Sequence, residues 1–382
     1  MKFHPKLEPQ FPWREGNRVE LLVDAEMFFP AMLRAVHEAR NCVWLEMYLF
    51  ESGAVADQFI DAFIDAARRG VQVCLLLDDF GCRKLSQQDR SRLAVKGIAL
   101  AFYNPLHYGK WRRNLFRDHR KILLVDHQAV FVGGTGLTDD FAPRLQPELA
   151  WRETMVRVEG PCVVDWAVLF AHTWGSGYVA RAPLRPGPQA IPALPEGLRG
   201  RVVETSALSS QELSRSLLNR IRLAQQNVWL TTAYFVPSIK IRRALRKTAQ
   251  RGVDVRLLLP GNRTDHPAVR HAGRRFYHGM LRAGVRIFEY QPRFIHAKVV
   301  ICDSWVSVGS SNIDRWNLRW NLEANQESVD DGLAQQAREM FERDFVVSEE
   351  IQFEAWRTRS WRSQIREWFW GRIDEWVDRF SR

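Results

Sequence analysis

The sequence predicts an α/β protein made of two tandem-duplicated α/β sandwich domains related by a pseudo-two-fold axis. One pattern, His-x-Lys-x-x-x-x-Asp, occurs first at His119 and again at His296, 177 residues later. A second pair of matching segments, RGVQV at residues 69–73 and RGVDV at residues 251–255, has nearly the same separation. In each half, apolar runs typical of strands alternate with segments that have the spacing of amphipathic helices. A duplication of this kind predicts that the two copies of the pattern face each other.

The first half contains five predicted strands and four predicted helices. Residues 71–77 form an apolar run, as expected for a strand that is covered on both faces. The helix before this run ends at Gly70, a residue type common at helix C-termini. The predicted strands are residues 18–23, 43–50, 71–77, 98–103 and 129–132, and the predicted helices are residues 27–40, 54–69, 86–96 and 163–173. A loop rich in basic and aromatic residues, 107–117, precedes the first motif.

The second half repeats the first with small changes in loop length. NVWL at residues 227–230 matches NCVWL at residues 41–45, and AGVRI at 283–287 matches KGIAL at 96–100. The boundary between the halves is predicted at residues 181–200, which contain five prolines. We therefore predict domains at residues 1–180 and 201–347, joined by this linker and followed by a C-terminal segment, residues 348–382.

The charge of the chain predicts an anionic partner. Its 382 residues include 55 Lys and Arg against 44 Asp and Glu, a net charge of +11. A basic surface of this kind binds either nucleic acid or an acidic membrane. The 15 tryptophans favour the membrane, because indole rings settle at the interface between water and lipid. Core packing is the alternative explanation for any single tryptophan.

The cysteines and the hydropathy of the chain predict its cellular compartment. The five cysteines are odd in number and lack Cys-x-x-Cys spacing, which predicts a reduced cytosolic protein without disulfides or a zinc site. No apolar stretch reaches the ~18 residues that a membrane-spanning helix requires. The first residues, MKFHPKLEPQFPWREGN, lack the apolar core of a signal peptide. We therefore expect a peripheral protein at the cytoplasmic side of the cell membrane.

The repeated motif carries the chemistry. His and Lys two residues apart on a strand point to the same face, which pairs His119 with Lys121 and His296 with Lys298. Two imidazoles flanked by two ammonium groups suit a phosphodiester. The lysines offset the phosphate charge, one histidine attacks phosphorus, and the other gives a proton to the leaving oxygen. This scheme needs no metal and no other cofactor. A lone histidine is more often structural, but the duplication in register favours catalysis.

On these residues the sequence resembles the phospholipase D superfamily, and within it the bacterial cardiolipin synthases. The second motif continues as GSSN at Gly309 to Asn312, which matches the family's Gly-Ser-x-Asn, and Glu323 follows where the family places an acidic residue. The first motif departs from this pattern, because it continues as GGTG at residues 133–136. Glu153, in the segment WRET, is the candidate for the matching acid. The resemblance covers residues 41–344 and implies a phospholipase D-like domain in each half.

The resemblance implies a phosphatidyltransferase that makes cardiolipin from two phosphatidylglycerols and releases glycerol. His119 is expected to be the nucleophile and to form a phosphatidyl-histidine. His296 is expected to protonate the departing glycerol and then to take the proton of the incoming hydroxyl. The expected partners are phosphatidylglycerol and an anionic membrane surface. Nucleic acid is the less favoured partner, and the oligomeric state stays open.

Other residues are expected to support the two histidines. Lys121, Lys298 and Asn312 would hold the phosphate oxygens as charge builds on them. Glu153 and Glu323 would orient the imidazoles and so set the tautomer that each role needs.

Asp126 and Asp303 complete the two motifs and are counted among the candidate catalytic residues. We expect them to serve as turn residues at a strand end or to orient the histidines, with little part in the chemistry itself.

Three other functions are open at this point. The same fold could hydrolyse phospholipid, with water in place of the second alcohol. It could be a phosphodiesterase acting on nucleic acid, which the net charge permits. It could also be a membrane-binding scaffold with an inactive site, although two intact motifs argue against that.

The C-terminal segment is predicted to contain an amphipathic helix over residues 356–382. Its seven arginines and four acidic residues accompany an apolar arc at helical spacing, formed by Trp361, Ile365, Trp368, Phe369, Ile373, Trp376 and Phe380. Such a helix either lies in a lipid headgroup layer or packs on the catalytic body.

Overall fold

The structure, a computed structural model, describes residues 11–145, 147–176, 183–206, 211–314, 320–359 and 370. Within the predicted linker, residues 183–197 form neither helix nor strand, and the next strand begins at Leu198. Of the predicted amphipathic helix, residues 360–369 and 371–382 lie outside the described residues. The description below therefore concerns the two duplicated halves.

The described residues of the first half form eight strands and four α-helices. The strands are β1 (Arg14–Val23), β2 (Cys42–Met47), β3 (Gln72–Asp78), β4 (Ile98–Tyr103), β5 (Arg117–Asp118), β6 (Lys121–Val125), β7 (Ala129–Gly133) and β8 (Thr154–Glu159). The helices are α1 (Ala25–Glu38), α2 (Ala54–Arg68), α3 (Gln87–Leu93) and α4 (Cys162–Trp174), with two 3₁₀ turns at Tyr108–Leu115 and Asp139–Phe141. Every predicted strand and helix of this half is present, with its ends shifted by a few residues.

The second half repeats this order, apart from two helices in place of α3 and a further strand and helix at its end. Its strands are β9 (Leu198–Ser206), β10 (Asn227–Thr231), β11 (Asp254–Pro260), β12 (Arg286–Tyr290), β13 (Val299–Cys302), β14 (Trp305–Gly309), β15 (Asn321–Val329) and β16 (Ser348–Glu350). Its described helices are α5 (Glu212–Leu223), α6 (Ile239–Gln250), α7 (Pro267–Arg274), α8 (Tyr277–Leu281), α9 (Asp331–Val346) and α10 (Phe353–Arg357).

The strand order confirms the duplication and its pseudo-two-fold symmetry. Read from one end, the strands follow β16-β12-β11-β10-β13-β14-β15-β9 and then β1-β8-β7-β6-β2-β3-β4. Apart from β16 at one end, the series is symmetric about the contact between β9 and β1, where Arg14 lies opposite Gly200 and Asn17 opposite Leu198. In each half three strands run parallel, β2-β3-β4 and β10-β11-β12, and an antiparallel strand lies next to them. Equivalent strands therefore end at equivalent positions in both halves.

Three apolar cores hold these layers together. The central core contains residues of both halves, including Trp166 of α4 and Phe341 of α9. An outer core packs α1 and α2 on the first half, and another packs α5 and α6 on the second. Since the central core is shared, the two halves form one layered unit around it.

Gly70 and Gly252 show how the repeated Arg-Gly-Val segment works. Their φ angles are +86° and +90°, a region that side chains disfavour, and a Cβ at either position would have no heavy atom within 4 Å. Glycine is therefore required by the backbone conformation and not by crowding. It ends α2 and α6 and directs the chain into the parallel strands β3 and β11.

Among the described residues, no helix combines the length and the apolar character needed to cross a bilayer.

Candidate active site

Both motifs lie at one edge of the strands, beside the carboxyl ends of the parallel strands. Lys121 begins β6 and lies opposite Met47, the last residue of β2. Val299 begins β13 and lies opposite Thr231, the last residue of β10. This is the edge at which ligands bind in open α/β sheets. We expected His and Lys on one strand, but each histidine precedes its strand, in an irregular segment.

Each motif segment pairs with a strand segment of the opposite half. β5, just before the first motif histidine, pairs in parallel with the start of β15, and the amide of His119 donates to the carbonyl of Leu322 at 3.0 Å. On the other side, Ile295 bridges to Arg152, and the amide of His296 donates to the carbonyl of Arg152 at 2.7 Å. The residue after Arg152, and the residue after Leu322, is a glutamate. Each histidine is thus placed next to an acid from the other half.

The resulting histidine–glutamate pairs are crossed. Nδ1 of His119 lies 2.9 Å from Oε1 of Glu323, and Nδ1 of His296 lies 2.6 Å from Oε2 of Glu153. The two glutamates are fully buried, and the histidine side chains are 11% and 8% exposed. The sequence predicted the four residues but not which acid lies beside which histidine. The contact of His296 with Glu153 has hydrogen-bond geometry, whereas His119 and Glu323 are close without the alignment of a hydrogen bond. In both pairs Nδ1 is the nitrogen next to the acid, which leaves Nε2 as the nitrogen for a substrate.

Both motif lysines are buried beside their histidines. Nζ of Lys121 donates to the carbonyl of His119 at 2.6 Å. Nζ of Lys298 lies 2.9 Å from Nδ1 and 3.1 Å from Nε2 of His296, and 3.6 Å from Oε2 of Glu153. The ammonium group of Lys121 also lies 4.8 Å from the centre of the Tyr48 ring. These contacts hold two cations within a site that excludes most water.

Burial and mutual repulsion shift the pKa values of the basic groups downward. Desolvation lowers the pKa of Lys121 to about 7, with Lys298 adding repulsion and Glu323 opposing the shift. Desolvation also lowers the pKa of Lys298, which Glu153 and Glu323 oppose. Burial and the nearby lysine lower the pKa of His296 to about 4, and burial with both lysines lowers that of His119 well below its usual value. An added anion would reverse these shifts, because it stabilises each protonated form.

The two acids differ although their positions are equivalent. Burial raises the pKa of Glu323 to about 8, with Lys121 and the Ser310 hydroxyl opposing this rise. Burial would also raise the pKa of Glu153, but Lys298 and His296 hold it below its usual value. Glu153 is therefore ionised beside His296, whereas the carboxyl group of Glu323 retains a proton near neutral pH.

The departure of the first motif from the family pattern has a steric explanation. A Cβ at Gly134 would come within 2.2 Å of Oε2 of Glu153, so only glycine leaves room for this carboxylate. The equivalent residue in the second half, Ser310, instead donates its hydroxyl to Glu323. The amide of Thr154 donates to Glu153 at 2.8 Å. The first half thus replaces a hydroxyl donor with a backbone donor.

Asn312, at the end of the second motif, carries an unused donor. It is fully buried, and its Oδ1 accepts from the hydroxyl of Thr232 at 3.2 Å. Within the described part of the chain, its Nδ2 has no hydrogen-bond partner. Since a buried N–H without an acceptor is costly, this amide is suited to a ligand oxygen.

Of the two roles expected for Asp126 and Asp303, the structure fits that of a turn residue at a strand end, and neither residue contacts a motif histidine. The carboxylate of Asp126 accepts the amides of Arg40, Asn41 and Cys42 at 2.7–2.9 Å. That of Asp303 accepts the amides of Gln225, Gln226 and Asn227 at 2.9–3.1 Å. Both residues have φ near +55° and follow the strands β6 and β13. They fix the start of β2 and β10, at the end of these strands opposite the site, while the glutamates hold the histidines.

Two buried arginines beside the site were missed by the sequence interpretation. Arg120 contacts Glu204 of the second half, and its Nη1 donates to Thr173 at 3.0 Å. Nη2 of Arg152 lies 2.8 Å from Oδ2 of Asp344, also of the second half. Arg120 follows His119 and Arg152 precedes Glu153, so both ion pairs brace site residues across the halves. The sequence does contain a signal for these ion pairs. Each arginine lies directly beside a predicted site residue in a buried segment, and a buried guanidinium group needs a carboxylate partner.

A family model described as "Cardiolipin synthase, PLD-like domain" matches the chain twice, over residues 32–169 and 217–345. The two matches contain both motifs and cover more than half of the chain. The chain belongs to this family. Each half is therefore a phospholipase D-like domain, as the resemblance implied.

Curated relatives of the chain include cardiolipin synthases. The chain is similar to cardiolipin synthase A of Pseudomonas aeruginosa (34% identity over 346 residues, 89% of this chain and 69% of that protein). It is also similar to cardiolipin synthase B of Escherichia coli strain K12 (33% over 327 residues, 82% and 76%) and to a probable cardiolipin synthase of Bacillus subtilis (31% over 340 residues, 88% and 67%). The chain is a phosphatidyltransferase of the phospholipase D superfamily.

Solved structures confirm the fold. A phosphatidylserine synthase of Haemophilus influenzae aligns with a TM-score of 0.75 at 12% identity, over 96% of both chains. A polyphosphate kinase of Porphyromonas gingivalis aligns with a TM-score of 0.59 at 15% identity, over 88% of this chain and 49% of that chain. At these identities the likeness concerns the two-domain α/β architecture alone.

Proposed function

We propose that this family member joins two phosphatidylglycerol molecules into cardiolipin and releases glycerol, through a phosphatidyl-histidine intermediate. The observation that carries the proposal is the pair of crossed, buried histidine–glutamate contacts with a lysine beside each histidine. Two nucleophilic nitrogens and two cations in one water-poor site provide the groups that a double displacement at a phosphodiester requires. Family membership supports the lipid substrate.

In the first step, Nε2 of His119 attacks the phosphorus of one phosphatidylglycerol. The bond between phosphorus and the glycerol oxygen breaks, and His296 gives its proton to that oxygen. In the second step, His296 takes the proton of a hydroxyl group on the second phosphatidylglycerol. The resulting oxygen attacks phosphorus, and the phosphorus–nitrogen bond breaks with return of the electron pair to His119. Each step inverts phosphorus, and the enzyme ends in its starting state.

The difference between the two glutamates supports this assignment of roles. An ionised Glu153 stabilises a protonated His296, as the acid of the first step requires. Glu323, with its raised pKa, gives less support to an imidazolium at His119, which suits a nucleophile that must be neutral. The bound phosphodiester adds negative charge beside both lysines and so raises their pKa values. Lys121, Lys298 and the free amide of Asn312 then stabilise the phosphoryl oxygens.

We further propose that the enzyme works peripherally at the cytoplasmic side of an anionic membrane. The net charge of +11 supports attraction to anionic lipid. All five cysteines are buried and unpaired, as is usual in a reducing compartment.

Product analysis with phosphatidylglycerol vesicles tests the proposed reaction. Cardiolipin and glycerol in equal amounts are expected, in the presence of EDTA as in its absence. Phosphatidic acid as the main product would show that the enzyme hydrolyses phosphatidylglycerol instead of transferring its phosphatidyl group. Turnover that EDTA abolishes and one added metal restores would overturn the metal-free mechanism. Cleavage of nicked plasmid without any lipid product would assign the site to nucleic acid.

A further inference from the structure

The loop between β4 and β5, residues 104–116, has no counterpart of similar length in the second half. Thirteen residues separate these strands, whereas the equivalent connection after β12, residues 291–294, has four before the bridge at Ile295. The loop is therefore nine residues longer in the first half than the equivalent connection in the second. It leads directly through β5 to the motif histidine His119.

The loop has a built base and an exposed tip. Nδ2 of Asn104 donates to the carbonyl of Phe116 at 2.8 Å, which closes the base. Farther out, Nδ2 of Asn114 donates to the carbonyl of His107 at 2.9 Å. Beyond this second contact, Tyr108 is fully exposed, the most exposed of the large apolar or aromatic side chains that the structure describes. The loop thus projects from the edge of the sheet that carries the site, and two asparagine side chains fix it by hydrogen bonds.

Other exposed large apolar side chains belong to segments at this same edge of the sheet. Leu106 and Leu115 of the loop are 44% and 53% exposed. Three more exposed residues lie in segments that connect to the same edge of the sheet. They are Phe80, which follows β3, and Leu145 and Leu149, which precede β8. We call these five residues, with Tyr108, the apolar rim. A rim of this kind on one edge of a soluble domain marks a surface that meets a partner.

The composition of the loop identifies the partner. Its sequence, NPLHYGKWRRNLF, combines Tyr and Trp with three basic residues and contains no acidic residue. Aromatic rings and long basic side chains are favoured where lipid headgroups meet the acyl layer, and anionic headgroups attract the basic residues. If the site acts on a phospholipid, the phosphodiester lies at this same depth of the bilayer.

We propose that loop 104–116 inserts into the headgroup layer of an anionic bilayer, with Leu106, Tyr108 and Leu115 entering its apolar boundary, and so docks the edge that carries the site on the membrane. This inference rests on the proposed function, because it needs a lipid substrate. Insertion by this loop also accounts for its presence in one half alone. Both halves form one site, so a single loop beside His119 is enough to dock that site on the bilayer.

The test compares two triple variants. In the loop variant, Leu106, Tyr108 and Leu115 are each replaced by Ser. In the matched control, Ser replaces Val95, Val168 and Leu223, which are exposed large apolar residues away from the site edge. Sedimentation with phosphatidylcholine vesicles containing phosphatidylglycerol should show a loss of binding of about tenfold or more for the loop variant and little change for the control. Both variants should keep the thermal unfolding and the turnover on detergent-dispersed phosphatidylglycerol of the unmodified chain.

A second measurement reports insertion directly and does not depend on these variants. Tyr108→Cys labelled with an environment-sensitive dye should be quenched by brominated lipid in the vesicles, and Val95→Cys should not. Unchanged vesicle binding by the loop variant together with an unquenched label would overturn the proposal. So would a loop variant that loses binding to duplex DNA while its vesicle binding stays unchanged.

The outcomes also separate this inference from the proposed function. His119→Ala should lose turnover and keep vesicle binding, since it removes chemistry and not the loop. If phosphatidylglycerol gives no cardiolipin while the loop variant still loses vesicle binding, the docking surface stands and the proposed reaction fails. If cardiolipin forms and the loop variant binds vesicles normally, the reaction stands and the docking surface fails.

Discussion

Glu153 and His296 lie 2.6 Å apart, Oε2 to Nδ1, although 143 residues and the domain boundary separate them in sequence. The mirrored contact, His119 with Glu323 at 2.9 Å, has the same crossed form. Neither half alone can therefore complete a histidine–glutamate pair. The buried contacts of Arg120 with Glu204 and of Arg152 with Asp344 cross the same boundary. The catalytic unit is the pair of halves.

The crossed pairing predicts which residues are energetically coupled. A double-mutant cycle by urea unfolding, with Glu153→Gln and His296→Asn, should give a coupling of about 1–3 kcal/mol, since it removes a buried hydrogen bond to a charged group. The matched cycle of Glu153→Gln with His119→Asn should give a coupling within about 0.5 kcal/mol. A larger coupling with His119 would mean that each acid serves its own half.

The nucleophile can be identified by trapping the adduct. With a phosphatidyl ester that has a good leaving group, His296→Ala should accumulate covalent enzyme, because departure no longer needs an acid but the second step lacks its base. His119→Ala should form no adduct. Intact-protein mass spectrometry measures the added mass in each variant. An adduct in His119→Ala, with none in His296→Ala, reverses the two roles.

Oxyanion affinity should fall as pH rises through about 7 to 8. Lys121 has a pKa of about 7 and Glu323 a pKa of about 8, so rising pH first removes a positive charge and then adds a negative one. Both changes oppose anion binding, and together they should weaken tungstate by about tenfold or more between pH 6 and pH 9. Calorimetric titration measures this. In Lys121→Arg the side chain stays charged over this pH range. This variant should therefore show only the loss of tungstate affinity that ionisation of Glu323 causes. A flat profile for the unmodified enzyme would contradict the assignment.

Acid should destabilise the fold through His296. Its folded-state pKa of about 4 lies below the usual 6.5, so the unfolded chain binds this proton first. The stabilising contribution is complete above pH 6.5 and is lost as pH falls through 4, by about 3 kcal/mol at most. His296→Asn should show a shallower decline in the free energy of unfolding between about pH 6.5 and pH 4. Equal slopes for both proteins would show that other groups govern acid unfolding.

The sequence predicts the composition of the site better than its connections. The repeated motif locates both histidines and both lysines, because strand register brings neighbouring positions to one edge. It cannot say which acid meets which histidine, since that depends on the pairing of β5 with β15 and of Ile295 with Arg152 across the halves. The motif aspartates show the reverse limit. Their spacing places them close to the histidines in sequence, but a strand of five residues (β6) or four residues (β13) separates them from the site in space.

The final prediction concerns this structural role of the aspartates. Asp126→Ala removes an acceptor of three backbone amides and places alanine at φ +54°, so unfolding free energy should fall by about 2–4 kcal/mol. Asp126→Asn tolerates this backbone angle and keeps one oxygen, and its loss should be smaller. Asp303→Ala and Asp303→Asn should behave alike, because Asp303 accepts three amides in the same way. Urea unfolding measures stability, and turnover at a temperature where each variant is folded should stay near that of the unmodified enzyme. A variant that keeps its stability but loses turnover would show that these aspartates take part in the chemistry.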